Sequence, residues 1–137
     1  MHEQRPSHRR QAARSTSFRL RAERESAAVA RRLVRRWLGD TPVVEDAALV
    51  VTELVANAVT HTGSRHVVCR LTVCEDEVWI AVEDEGGTLA VPRPREPDDG
   101  AECGRGLLLV EALSVDWGVA PLEPEGRAVW AALKIPA

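Results

Sequence analysis

Aromatic residues are scarce in this chain, with no tyrosine and a single phenylalanine, and there are only three cysteines in 137 residues. Cys69, Cys74 and Cys103 are odd in number and lack metal-ligand spacing, which argues against a disulfide framework or a zinc motif. Cys69 and Cys74 are five apart in an apparent strand and so point to opposite faces. All three read as reduced thiols packed like small hydrophobes. No apolar run approaches the ~20 residues of a membrane span, and none follows the basic N-terminus as a secretory signal would require. A cytoplasmic protein is expected.

A hydrophobic fraction of 45% fits one globular domain with a single core. The net charge of −3 hides an asymmetry. Residues 1–36 hold eleven arginines against three glutamates, a local +8 that leaves −11 for the remainder. A basic segment can bind nucleic acid. Here it has only Phe18 as an aromatic and no DNA-binding motif, so an acidic partner protein is the expectation. Residues 1–16 read as a solvated arm, and 17–137 as the folded domain.

Ala30, Leu33, Val34, Trp37 and Leu38 recur at helical spacing, predicting a helix over residues 23–38 that stops at Gly39. Asp40 or Thr41 can cap a second helix, with Pro42 near its first position. That helix runs on to about residues 62–63, burying Leu49, Val51, Leu54, Val55, Ala58 and Val59. Residues 66–74 then alternate, with Val67, Cys69, Leu71 and Val73 on one face, and a second strand follows over 78–82. Trp79 reads as packing. From Gly86 to Gly104 periodicity is lost, with Pro92, Pro94 and Pro97 in the run, which suits a lid over a ligand or a plain connection. A short helix over 106–113 and strands over 115–119 and 127–135, with Gly126 between the strands, complete the order. The expected fold class is α/β, more closely an α+β two-layer sandwich in which helices cover one face of a mostly antiparallel mixed sheet.

Within the second helix, Glu53, Asn57 and His61 stand at i, i+4 and i+8 on one stripe. Such residues can be merely solvated. On a helix this apolar, however, a carboxylate and a carboxamide one turn apart need partners, which a metal ion and a nucleotide would supply. Two other segments join them: Val82-Glu83-Asp84-Glu85-Gly86-Gly87, which ends a strand in an acid and glycines, and Gly104-Arg105-Gly106-Leu107-Leu108-Leu109-Val110, which opens a helix with glycines.

In order and spacing these three segments resemble the nucleotide-binding boxes of the Bergerat-fold (GHKL) ATPases. Within that superfamily the chain, from residue 17 to 135, looks most like the bacterial anti-sigma-factor serine/threonine kinases and their actinobacterial relatives. The resemblance implies ATP and Mg2+ as cofactors. It implies Asn57 as the magnesium ligand and Glu53 as the general base that takes a proton from a hydroxyl while the γ-phosphoryl group leaves. Asp84 would accept a hydrogen bond from the adenine amino group, with Gly86 admitting the base closely. The family has a further glycine two residues after Gly86, where this chain has Thr88. Gly104, Arg105, Gly106 and Leu107 would face the phosphates, with N–H groups at a helix N-terminus and the Arg105 charge as counter-ion. His61 either reaches phosphate or bonds locally at the helix end.

Two functions of different class follow. The first is a kinase that binds a sigma factor and phosphorylates a serine on an anti-sigma-factor antagonist, its first helix serving a homodimer or partner surface. The second is a non-catalytic ATP-sensing interaction module that controls a transcription regulator. DNA binding through the arm is a third reading, whose signature would be steep salt dependence.

Overall fold

Eight elements follow one another as β1 (Arg14–Arg21), α1 (Ser26–Leu38), α2 (Val44–His61), β2 (His66–Cys74), β3 (Glu77–Asp84), α3 (Glu102–Leu113), β4 (Asp116–Pro121) and β5 (Arg127–Lys134). The computed structural model describes residues 14–61, 63–85 and 102–136, the side chains of 102–105 excepted. The strands form one sheet in the order β1-β2-β3-β5-β4, antiparallel at every pairing, so among the described residues the expected parallel component is absent. All the helices lie on one face of it, α2 against β2, β3 and β5, α1 against α2 and β1, and α3 against α2 and β4. This is the two-layer α+β sandwich expected from the sequence.

The strand β1 was not expected. Its residues alternate, with Thr16, Phe18 and Leu20 half-buried and Ser15, Ser17, Arg19 and Arg21 exposed. Two apolar side chains among arginines make a weak period-two signal, and pairing with the whole length of β2 supplies what propensity does not. It begins at Arg14, inside the stretch read as the arm, and the Arg14 guanidinium stacks over the Trp37 ring of α1 at 4.5 Å.

Helix α1 starts at Ser26 rather than residue 23, because Ser26 Oγ donates to the Arg21 carbonyl at 2.6 Å and ties the chain into a bend there. It ends at Gly39, as expected, whose φ of +57° lets its N–H reach the Arg35 carbonyl at 2.9 Å. Thr41 does not cap α2. Its hydroxyl donates to the Leu38 carbonyl at 2.6 Å and closes the end of α1 instead. Along α2 the buried stripe is rotated slightly from expectation. Val50 is fully buried, whereas Leu49 is 40% exposed.

The core lies between the sheet and the helices. Val67, Cys69 and Leu71 of β2, Val78, Ile80 and Val82 of β3, and Val129, Ala131 and Leu133 of β5 meet Val34, Val51, Leu54, Val55, Leu107 and Val110 of the helices. Burying each of the valine, leucine and isoleucine side chains contributes roughly 1.5–3 kcal/mol. Trp117 ties β4 to α3 through Nε1, which donates to Glu111 Oε2 at 3.2 Å. On the opposite, helix-free face Trp79 stacks on Trp130 with centroids 5.6 Å apart, which settles its role as packing.

Candidate functional site

Helix α2 is the axis of the site. Glu53, Asn57 and His61 form one line along it, about 12 Å from end to end at 1.5 Å per residue. Its neighbours fix what each end meets. A Cβ built on Gly106 of α3 would overlap Glu53 Oε2 and stand 3.2 Å from Glu53 Cδ, so the carboxylate lies directly against that helix. At the other end four residues separate His61 from His66, and Val67 pairs with Asp84 across β2 and β3. The stripe therefore runs from α3 toward the end of β3 that carries Asp84.

Asp84 follows Val78, Ile80 and Val82 by twos, so its side chain turns toward the helix layer rather than to the bare face, and it is only 7% exposed. The β4–β5 turn backs it. Gly126, with φ +108°, sits so close that a Cβ would overlap the Asp84 carbonyl oxygen. Sequence reasoning placed Gly126 in a turn and gave no sign of this approach, since a turn glycine looks the same whether or not it abuts a strand.

Asn57 is the most telling of the group. It is 1% exposed, and among the described residues neither Oδ1 nor Nδ2 has a hydrogen-bond partner. Nearby hydroxyls on α2 are satisfied within the helix: Thr52 Oγ1 donates to the Ala48 carbonyl at 2.7 Å and Thr60 Oγ1 to that of Ala56 at 2.8 Å. A buried amide with both ends open costs about 1–3 kcal/mol and calls for a ligand that offers both a donor and an acceptor, or a metal ion. Magnesium with a nucleotide fits, because it takes one or two protein oxygens and fills its octahedron from phosphate and water. Among the described residues no group of three His, Cys, Asp or Glu side chains is arranged to hold a metal by itself.

Helix α3 begins at Glu102, four residues before the expected start. Gly104, Arg105 and Gly106 are thus its third to fifth residues, and the N–H groups of its first turn, 102–105, are the ones without intrahelical acceptors. Leu107 does not offer its side chain to a ligand. It is 1% exposed in the hydrophobic core, where its place on the inner face of α3 puts it. Gly86 and Thr88 lie outside the described residues, as does the stretch read as a lid up to residue 101; the Arg105 and Cys103 side chains do too.

A separate cleft of about 500 Å³ borders the same end of the sheet. It is lined by Arg19, Gly63, Ser64, Arg65, His66, Glu85 and Glu125, so of the three singled-out segments it takes in only Glu85 among the described residues. Arg19 Nη2 meets His66 Nδ1 there at 3.1 Å, and the His66 N–H donates to Glu85 Oε1 at 3.3 Å.

The family model of the histidine kinase-like ATPase domain matches residues 16–133. The chain belongs to that family. Among solved structures it is similar to the RsbU and RsbW domains of Rv1364c from Mycobacterium tuberculosis, with a TM-score of 0.66 and 20% identity over 91% of this chain. It spans 34% of that longer chain, and at this identity the likeness is one of fold. Among curated proteins, none matches. Family membership makes this an ATP-binding domain of the GHKL type. No helix among the described residues is long and apolar enough to cross a membrane.

Proposed function

We propose that the protein is an anti-sigma-factor-type serine/threonine kinase, which transfers the γ-phosphoryl group of ATP to a hydroxyl on a separate antagonist protein. The observation that carries this reading is the buried, unpartnered Asn57 amide one turn from Glu53 on an ATPase-family helix.

When bound, ATP with magnesium supplies the transferable phosphoryl group and neutralises its developing charge. Asn57 would hold this pair through its two open amide atoms, the oxygen being the one able to ligate a metal. Asp84 accepts from the adenine amino group. The free N–H groups of the first turn of α3 face the phosphates, joined by the Arg105 charge. Glu53 is the general base. It takes the proton of the attacking serine or threonine hydroxyl as the new O–P bond forms and the bond to the β-phosphate bridging oxygen breaks, leaving ADP. The proton then passes from Glu53 to solvent. His61, a further turn along, would reach a phosphate or bond locally at the helix end.

The basic exposed surface of α1, where Arg32, Arg35 and Arg36 face outward, suits the acidic partner expected from the charge asymmetry. The test is incubation of the protein with Mg-ATP labelled in its γ-phosphate and candidate antagonist proteins. Glu53→Ala should lose about 10²–10⁴-fold in transfer while keeping nucleotide affinity. Equal transfer by wild type and variant would remove Glu53 as the base, and nucleotide binding without transfer in either would favour the ATP-sensing module.

A further inference from the structure

Gly106 lies inside a helix, where propensity alone favours alanine. It is the fifth residue of α3, past the first turn, so its N–H has an acceptor inside the helix and it is not among the free anion donors. A glycine inside a helix lowers stability relative to alanine, and it needs a packing reason. Among the described residues the three atoms nearest to a Cβ at 106 all belong to Glu53: Oε2 would be overlapped, Cδ stands at 3.2 Å and Cβ at 3.4 Å. The neighbouring Leu107 and Val110 are core residues that fix α3 against α2, so the helix cannot back away to make room.

We propose that Gly106 is a positioning residue whose missing side chain is the seat of the Glu53 carboxylate. Its glycine serves the base, not the phosphates. The inference rests on Glu53 as general base for its catalytic consequence, but the seat itself is testable without catalysis. Because Oε2 is the end of a flexible side chain, a methyl group at 106 displaces the carboxylate and leaves the fold intact.

The experiment combines Gly106→Ala with Glu53→Ala and reads thermal unfolding, binding of a fluorescent ATP analogue with magnesium, and phosphoryl transfer. In the Glu53→Ala background the added methyl should raise Tm by a few degrees, the helix-propensity gain of alanine over glycine. With Glu53 present that gain should be reduced or reversed. Equal Tm changes in the two backgrounds overturn the seat. For activity, Gly106→Ala should hold nucleotide affinity within about threefold and lower kcat at least tenfold, as a displaced base does. Loss of nucleotide affinity with kcat retained would make Gly106 part of the phosphate cradle and overturn the proposal. If the wild type transfers no phosphate, the kinase reading fails, and the Tm comparison still decides the seat.

Discussion

On the helix-free face of the sheet, Arg70 Nε donates to Glu83 Oε2 at 2.8 Å, and Arg19 reaches His66 at 3.1 Å. Under the helices, Asn57 is 1% exposed and neither of its amide atoms has a partner among the described residues. The exposed Arg70 and Arg19 guanidinium groups pair although water could satisfy them. The amide on the covered face, where water cannot reach, stands unpaired. Pairing in solvent is worth little, whereas an unpaired amide in the interior is costly, so the energetic weight of the comparison lies almost wholly under the helices. A fold that keeps such a group gives up stability locally, as ligand sites do.

The largest expected effect breaks the comparison at Asn57. Asn57→Leu replaces the amide with an apolar side chain of broadly similar size, so the nucleotide-free protein should gain about 1–3 kcal/mol. Its Tm should rise by several degrees. The same variant should lose the thermal shift that Mg-ATP gives the wild type. A lower Tm for Asn57→Leu would mean that the amide is already satisfied within the fold, and the site would lose its main support.

Cys69 sharpens the comparison from the same side. It lies between Val67 and Leu71 on the covered face, and burial pushes its thiol from 9.0 up to about 12. The folded state therefore favours the neutral thiol. Its contribution is constant below the unfolded value and is lost as pH rises above 9, where only the unfolded chain ionises. By pH 10 the loss is on the order of 1 kcal/mol, and Cys69→Ala should shrink the fall in stability between pH 8 and 10 by that amount. Chemical denaturation at the two pH values measures it. An identical fall in the variant would show that the thiol is solvated.

Most of the covered face was legible in the sequence, because helical and strand periods there are written in apolar residues. Val67, Cys69 and Leu71 appear in their expected alternation, and the Glu53–Asn57–His61 stripe is a matter of spacing alone. What was not legible depended on contacts between distant segments. Strand β1 shows little apolar signal and exists because β2 offers it a partner along its whole length. Thr41 looked like a cap for the helix ahead, and it closes the one behind. Gly106 and Gly126 look alike in sequence, yet one faces a carboxylate side chain and the other a strand backbone. The early start of α3 at Glu102 was hidden because glycines in its first turns mimic a loop.

The smallest expected effect tests the open face. Arg70 and Glu83 sit diagonally across β2 and β3, with side-chain exposures of 46% and 14%. Solvent screens the guanidinium, and fixing two long side chains costs rotamer entropy, so the pair should couple by about 0.2–1 kcal/mol. A double-mutant cycle with Arg70→Ala and Glu83→Ala, read by urea unfolding, should give that value and lose part of it at high salt. Coupling well above 1 kcal/mol that ignored salt would mean the pair is shielded from water. The helix-free face would then be as covered as the other, and the contrast with Asn57 would no longer mark a ligand site.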